Sequence, residues 1–565
     1  MSRFVHFQNF SDFNSKKLSA NINDTAYTNG VNGTVTNGTP DISYISIVFI
    51  KDTKQVWTHG QLYAGETETN DVPLYAGSGS YSIMMEGCEA NDSHSVALGA
   101  GSIAKGYASL AEGASCEAIG YYSHAEGANT YAEADFSHAE GHASVACGLG
   151  AHAEGGYYYK NEDGNFTDIA GGRASGTSSH AEGAETHASG YASHAEGNGT
   201  QANNSASHAE GYQAKANGLA SHAEGANTAT YTYEDWERGC HAEGINTTAI
   251  GAAAHSEGIG SYKLDENYHG NPLDFWNNIN KTTIAKGQGA HAEGINTVAI
   301  ANASHAEGSH TIASEIGAHA EGAETVASGS YTHAEGYKTQ ATDAMSHAEG
   351  YESIASGYIS HAEGDRTQAK GHYSHTEGGE TETGENEYYS HAEGYKTKAL
   401  KSYSHAEGRE SEANGPISHA EGDRTKAYAE SSHTEGCLSE THGYASHAEG
   451  YNTIAVGAYS HAEGFYTVAD NDFSHAEGKY NSYQEGLIHS VGIGKSDTNR
   501  YNAHDITLKG KHYILGVGGY DGKDYTKATD VSTVINNLQY KVATMAEIDA
   551  ILDFMDNGGS NDSNS

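Results

Sequence analysis

The sequence contains little cysteine, few basic residues and no long hydrophobic run, and each shortage excludes a class of protein. The five cysteines are odd in number and form no C-x-x-C pair, which argues against a disulfide framework and against a zinc site. Only 30 basic residues stand against 74 acidic ones, and the net charge of −44 disfavours nucleic acid or an anionic membrane as a partner. No apolar run approaches the roughly 18 residues of a membrane helix, so we expect no membrane insertion.

What the chain has in abundance is one short motif. His-Ala-Glu-Gly or a close variant occurs 23 times between His124 and His475, and 18 of the 22 gaps between successive motif histidines are 14 residues. A segment of 14 residues cannot form a core of its own, so a strict period of this length predicts stacked rungs of a solenoid.

The aligned rungs share the consensus S-H-A-E-G-x-x-T-x-A-x-G-x-x. We interpret each rung as two strands of about five residues joined by two tight turns, with glycines supplying positive φ where the chain reverses. A helix is disfavoured because every rung contains glycine, which costs a helix about 1 kcal/mol each. The predicted fold class is all-β, a parallel solenoid of 14-residue rungs.

Side chains alternate along a strand, so the His and Glu of S-H-A-E-G share one face, and Ser, Ala and Gly share the other. We predict a narrow interior packed by Ala, Ser, Thr and Gly, with the variable residues outside. Such an interior buries little apolar area per rung, so we expect a single chain to be only marginally stable. The His/Glu face is therefore a natural seam for association.

The first rungs carry a family resemblance. Ser95-Val-Ala-Leu-Gly99 is followed at 14-residue steps by Ser109-Leu-Ala-Glu-Gly113 and Ser123-His-Ala-Glu-Gly127. This motif and period resemble the head repeat of trimeric autotransporter adhesins, over about residues 93 to 494. The resemblance implies a left-handed parallel β-roll assembled as a homotrimer, a fold that bacteriophage fibres also use. The chain departs from that pattern by placing His and Glu where apolar residues usually stand.

The repeated His and Glu allow three interpretations. We favour a structural one, in which imidazoles and carboxylates hydrogen-bond between rungs or chains and the His pKa is raised. The alternative is a ladder of metal sites on the axis, since His at i and Glu at i+2 share a strand face. Candidate ligands are His194, Glu196, His347, Glu349, His461 and Glu463. Catalysis is disfavoured, because a feature repeated 23 times is the scaffold itself, and we expect neither an enzyme nor a cofactor.

Departures from the period predict surface inserts at about 156–178, 227–239, 259–289 and 379–389 within a shaft of residues 86–494. Exposed aromatic loops suit the recognition of a glycan or protein, and the alternative is that these aromatics pack back on the roll. The candidate receptor contacts are Tyr157, Tyr158, Tyr159, Trp236, Tyr262, Tyr268, Phe275 and Trp276.

The two ends are not repeats. Residues 1–85 contain a predicted β-hairpin that turns at Lys51-Asp-Thr-Lys54. This segment resembles the N-termini of fibre proteins from crAss-like gut bacteriophages, which implies attachment to a particle; the alternative is a cap on the first rung. His489–Gly494 reads as a final rung. Residues 495–565 are β-rich with a helical run from Val531 to Leu538 and a capped amphipathic helix after Thr544, and they resemble distal modules of phage fibres.

We expect a homotrimeric virion fibre, on tail or capsid, that binds a host surface glycan or protein and other virion proteins. Neither an export signal at Met1 nor a membrane anchor at the polar C-terminus is visible, so we expect synthesis in the host cytoplasm and a final position on the virion surface. The alternatives are a bacterial surface adhesin tethered by a partner and a glycan depolymerase.

Overall fold

The computed structural model describes residues 33–36, 43–51, 54–62, 67–70, 81–84, 88–92, 94–160, 166–232, 238–261, 282–517 and 519–538. The chain divides into two compact units, Met1–Gly308 and Ser309–Ser565. Each unit is built around a parallel β-solenoid whose rungs repeat about every 14 residues, which confirms the predicted fold class. Among these described residues no helix is long and apolar enough to cross a membrane.

The first unit opens with the predicted hairpin. Ser43–Lys51 pairs antiparallel with Lys54–Leu62, and Lys51 lies opposite Lys54, so the turn is where the sequence places it. The strand Tyr81–Met84 pairs antiparallel with Ser43–Lys51 and parallel with the first rung strand, Val96–Ala100. The hairpin thus belongs to the same sheet as the first rung, and Tyr81–Met84 is the strand that pairs with the edge of that rung.

Each rung contributes a first strand at the motif, five residues long in most rungs and called the longer strand, and a second, short strand of two or three residues. Two further strands of the first unit, Gly33–Thr36 and Thr67–Asn70, pair with each other. The longer rung strands that begin in this unit are Val96–Ala100, Leu110–Ala114, His124–Ala128, His138–Ala139, His152–Glu154, His180–Ala184, His194–Asn198, His208–Tyr212, His222–Ala226, His241–Ile245, His255–Ile259, His291–Ile295 and His305–Ser309. The short ones are Glu89–Ala90, Ile103–Ala104, Glu117–Ala118, Tyr131–Ala132, Val145–Ala146, Arg173–Ala174, His187–Ala188, Gln201–Ala202, Lys215–Ala216, Ala229–Thr230, Thr247–Ala249, Thr283–Ala285 and Val298–Ala299.

The second unit repeats the pattern. Its longer strands are His319–Ala323, His333–Tyr337, His347–Tyr351, His361–Asp365, His375–Gly379, His391–Tyr395, His405–Arg409, His419–Asp423, His433–Thr434, His447–Tyr451, His461–Phe465, His475–Lys479 and Leu487–Ile493. Its short strands are Ile312–Ala313, Val326–Ala327, Gln340–Ala341, Ile354–Ala355, Gln368–Ala369, Glu382–Thr383, Lys398–Ala399, Glu412–Ala413, Lys426–Ala427, Glu440–Thr441, Ile454–Ala455 and Val468–Ala469.

Equivalent residues of neighbouring rungs lie in register. His333 pairs with His347 and Glu335 with Glu349, so every motif position forms a column of like residues. The second strand is mostly two residues long, and the predicted length of five was wrong. The reason is visible after Ala355, where the N–H groups of Ser356 and Gly357 both donate to the carbonyl of Ala369, so the chain already turns there.

The turns correct the role predicted for glycine. The left-handed turn positions are mostly not glycine: Glu352 and Ile359, seven residues apart, both have φ of 52°. The N–H of Glu352 donates to the Tyr337 carbonyl of the preceding rung at 2.8 Å, which offsets the roughly 1–2 kcal/mol of αL strain. The motif glycine has another task. Gly350 has φ of +100°, and a Cβ there would lie 2.2 Å from the carbonyl oxygen of Gly364.

The core is a stacked row of small side chains, as predicted. The motif alanine and the second-strand alanine, such as Ala348 and Ala355, are fully buried, and Ser346 and Ser353 pack beside them. The largest fully buried aliphatic side chains are Ile284 and Val298. The interior buries little apolar volume. Backbone hydrogen bonds between rungs therefore contribute a large share of the stability of each unit.

The second unit ends in antiparallel structure. In the predicted final rung His489 pairs with His475, and Leu487–Ile493 then pairs antiparallel with Asn502–Thr507. His512–Ile514 extends this sheet, a 3₁₀ turn covers Tyr525–Lys527, and a helix occupies 531–538 as predicted. The helix predicted after Thr544 lies outside the described residues.

Candidate functional site

The most distinctive surface of the molecule is the His/Glu column, which we define as the motif histidines and the glutamates two residues after them. Strand alternation turns both side chains away from the alanine core, so they are half-buried on one outer face of each unit. The imidazoles stack in parallel: His333 and His347 have ring centroids 4.8 Å apart and planes 4° apart. This centroid spacing equals the distance between hydrogen-bonded strands, because each rung contributes one imidazole to the stack.

Imidazole and carboxylate approach each other without forming a good hydrogen bond. Nε2 lies 3.7 Å from a carboxylate oxygen in both the His194–Glu196 and the His347–Glu349 pairs. His461 makes its 3.7 Å approach to Glu449 of the preceding rung instead. All three Nε2 atoms are shielded from solvent and have no hydrogen-bond partner. At these separations the groups form no hydrogen bond between rungs of one chain, and the part of the structural interpretation that places the hydrogen bonds between chains stays a prediction.

The predicted rise in the His pKa was wrong in direction. Burial, followed by repulsion from the imidazoles stacked above and below, lowers the pKa of His194 and His222. The same causes lower the pKa of His447 to about 4. The nearby glutamates raise these pKa values by less, because they are farther from the imidazole than a hydrogen bond requires.

The carboxylates of the column interact with one another. Burial and a hydrogen bond with Glu421 raise the pKa of Glu407 to about 7. A hydrogen bond with Glu449, together with burial, raises the pKa of Glu435 to about 7, and the same contact lowers the pKa of Glu449. At these rungs neighbouring carboxyl groups thus share a proton, since like charges one rung apart cannot both ionise cheaply.

Metal-ligand geometry recurs along the column. In groups of the type His180–Glu182–His194, one ligand atom from each residue lies within 4.8 Å of the other two. Five such groups lie between His180 and His255, and 14 more occur among the described residues. The predicted ligands His194 and Glu196 belong to one of them.

The structure describes only three of the predicted receptor contacts, Tyr157, Tyr158 and Tyr159. Tyr157 begins a two-stranded hairpin, Tyr157–Lys160 with Phe166–Ile169, and is 49% exposed. Tyr158 and Tyr159 lie on the same strand. Trp236, Tyr262, Tyr268, Phe275 and Trp276 lie outside the described residues. Rung strands occupy part of all four predicted insert ranges, namely Arg173–Ala174 within 156–178, Ala229–Thr230 within 227–239, Thr283–Ala285 within 259–289 and Glu382–Thr383 within 379–389.

A second aromatic surface was missed from the sequence. Exposed rings follow one another at turn positions of successive rungs: Tyr373 stacks on Tyr389 at 4.9 Å, and Tyr389 on Tyr403 at 5.3 Å. Tyr459 and Phe473 form a similar pair at 5.1 Å. The recurrence of these aromatics at nearly the rung period was the signal that could have found them.

Comparison with known families agrees with this geometry. The YadA head domain repeat matches the chain in two copies, with matched residues 242–261, 348–367 and 443–469. The chain therefore carries the β-roll head repeat of trimeric autotransporter adhesins on a β-solenoid. Such repeats imply an adhesin-like fibre, a kind of protein that is typically structural and oligomeric. No curated protein matches the sequence.

Proposed function

We propose that this protein is a homotrimeric virion fibre of a bacteriophage that adheres to a glycan or protein on the host surface. The observation that carries the proposal is the column of half-buried His and Glu side chains on a YadA-type solenoid. Column side chains such as His194 and His347, which are 34% and 36% exposed on one outer face, fit a surface that a further chain covers. The phage-like N-terminal segment supports a virion rather than a cell surface, with residues 1–85 attaching to other virion proteins.

The oligomeric state tests the first part. We expect light scattering of the purified chain to give three times the chain mass of 59.4 kDa. The substitutions His333→Glu, His347→Glu and His361→Glu add charge to the column and should dissociate the trimer. The matched control adds the same charges to the same region at exposed turn positions, Met345→Glu, Ile359→Glu and Tyr373→Glu, and should remain trimeric.

Circular dichroism on both variants separates dissociation from unfolding. A wild-type chain that scatters as a monomer would contradict the proposed trimer. A folded trimer that survives the column substitutions would show that the seam lies on another face.

Adhesion tests the second part. Aromatic side chains supply large contact areas at recognition surfaces. We expect labelled protein to bind host cells, and Tyr373→Ser, Tyr389→Ser and Tyr403→Ser together to weaken binding at least tenfold. Glu352→Ser and Glu410→Ser, also at turn positions, are the control. Unchanged binding by the tyrosine variant would leave the inserts, with Tyr157 to Tyr159, as the contact region.

A bacterial surface adhesin is the second candidate, because the YadA repeats favour it equally. Antibody labelling distinguishes the two: a virion fibre is found on particles, and a bacterial adhesin on cells. Depolymerisation of the host glycan during incubation would instead indicate an enzyme.

A further inference from the structure

The geometry points to a function of the His/Glu column beyond adhesion: we infer that it binds divalent transition-metal ions, one ion between the imidazole Nε2 and the glutamate carboxylate of a rung. The ligand class follows from the donor atoms. Imidazole nitrogen combined with carboxylate oxygen suits Zn²⁺, Ni²⁺ and Cu²⁺, whereas Ca²⁺ and Mg²⁺ prefer oxygen alone.

The separation of the two donors is the first argument. Nε2 and the carboxylate oxygen are 3.7 Å apart in His194–Glu196, 3.6 Å in His208–Glu210 and 3.8 Å in His222–Glu224. A nitrogen–oxygen hydrogen bond needs about 2.7–3.2 Å. Two ligands of one ion, each about 2.0–2.2 Å from it at an angle of 110–120°, lie about 3.3–3.8 Å apart. The pairs are too far apart to bond each other and correctly spaced to hold an ion.

The state of the nitrogen is the second argument. Nε2 of His194, His208 and His222 is closed off from solvent and has no hydrogen-bond partner. A buried polar atom without a partner costs about 1–3 kcal/mol. A cost repeated on rung after rung is large, and an ion between Nε2 and the carboxylate would remove it at every rung.

Further ligands come from the stack. In the group His194–Glu196–His208 the donor atom of the next rung lies within 4.8 Å of the other two. Parallel ring planes, 4° apart for this pair, prevent both imidazoles from pointing at one ion without a tilt. We therefore assign one imidazole and one carboxylate per ion as the core of the site, with the next imidazole joining after a small rotation.

The chain itself supplies a fold-compatible rung without ligands. The first rungs place Val96 and Leu110 in register with the histidine position, and Leu98 opposite Glu112 of the glutamate position. Leu110 pairs directly with His124, so leucine can replace a column histidine without disturbing the stack.

The test is Zn²⁺ binding to the full-length protein after chelator treatment, measured by equilibrium dialysis with elemental analysis. We expect several ions per chain in the wild type. The variant His194→Leu, His208→Leu, His222→Leu and His241→Leu breaks all five groups between His180 and His255, and should bind at least two ions fewer. The control replaces three exposed histidines outside the column, His187→Leu, His310→Leu and His442→Leu, and should bind as many ions as the wild type.

Two further measurements keep the inference falsifiable if the leucine variant misfolds. Glu196→Gln, Glu210→Gln and Glu224→Gln preserve shape, and should weaken Zn²⁺ binding at these rungs at least tenfold. Cu²⁺ bound to the wild type should show nitrogen hyperfine splitting in its electron paramagnetic resonance spectrum. Equal Zn²⁺ binding by the column and control variants, or a copper spectrum without nitrogen, would overturn the site, whatever the oligomeric state or adhesion of the protein.

Discussion

At the scale of single residues, two glycines of one rung have opposite tolerances. Gly197 has φ of +108°, and a Cβ there would lie 2.1 Å from the carbonyl oxygen of Gly211 in the next rung. Gly199 has φ of +67°, and its Cβ would meet only the flexible side chain of Gln213 at 3.4 Å. The first glycine is needed for a close approach between backbones, and the second occupies a turn position where other rungs carry ordinary residues.

We therefore predict that Gly197→Ala destabilises the protein by at least about 2 kcal/mol, because backbone strain and a backbone clash add. Gly199→Ala should cost no more than the roughly 1–2 kcal/mol of left-handed strain, since it adds no backbone clash and Ala192 adopts φ of 50° at a turn. Denaturant titration measures both. Equal effects of the two substitutions would show that the rungs can separate enough to admit a Cβ.

At the scale of elements, the antiparallel strand Asn502–Thr507 contains a buried carboxyl group. Asp505 is fully buried; the amide of Asn502 donates to its Oδ1 at 2.7 Å, and the hydroxyl of Tyr520 donates to its Oδ2. Burial raises the pKa of Asp505 to about 8. A raised folded-state pKa favours the fold at low pH: the contribution is complete below the unfolded value of about 3.9, and it is lost as pH rises from there through about 8.

We expect hydrogen-exchange protection of strand Asn502–Thr507, corrected for intrinsic exchange rates, to fall between about pH 4 and pH 8 and to level off above that. Asp505→Asn keeps the shape of the neutral acid and should remove that fall. If the variant and the wild type lose protection in parallel, another group controls the strand.

The elements also show what sequence can predict. The strand His347–Tyr351 follows from its two-residue alternation, and the hairpin turn at Lys51–Lys54 from its turn residues. The length of the second strand was overestimated. The strand ends where the N–H groups of Ser356 and Gly357 both donate to the carbonyl of Ala369, and the consensus sequence does not reveal these hydrogen bonds. The sign of the His pKa shift was missed for a similar reason. Within one rung His347 has only Glu349 as a neighbour, whereas stacking adds His361 at 4.7 Å.

At the scale of the whole molecule, the columns of both units make stability depend on pH. Column histidines have lowered pKa values, through burial first and then stacked neighbours, in the first unit at His138 and in the second at His361 and His391. A lowered folded-state pKa of a base means that its contribution is complete above the unfolded value of about 6.5. That contribution is lost as pH falls from there towards the folded value, about 4 for His447.

The glutamates with raised pKa values oppose this trend. Glu407 and Glu435, near 7, favour the fold at low pH and lose that contribution as pH rises from about 4.5 through 7. Histidines with lowered pKa values are more numerous, and Glu449 has a lowered pKa and adds to the loss in acid.

The melting temperature of the chelator-treated protein should therefore fall between pH 6.5 and 4. Replacing four column histidines by leucine should reduce the slope, because leucine does not titrate. A melting temperature that is constant or higher at pH 4 would mean that the carboxyl groups dominate, and that protons shared between glutamates stabilise the molecule more than neutral imidazole stacking does.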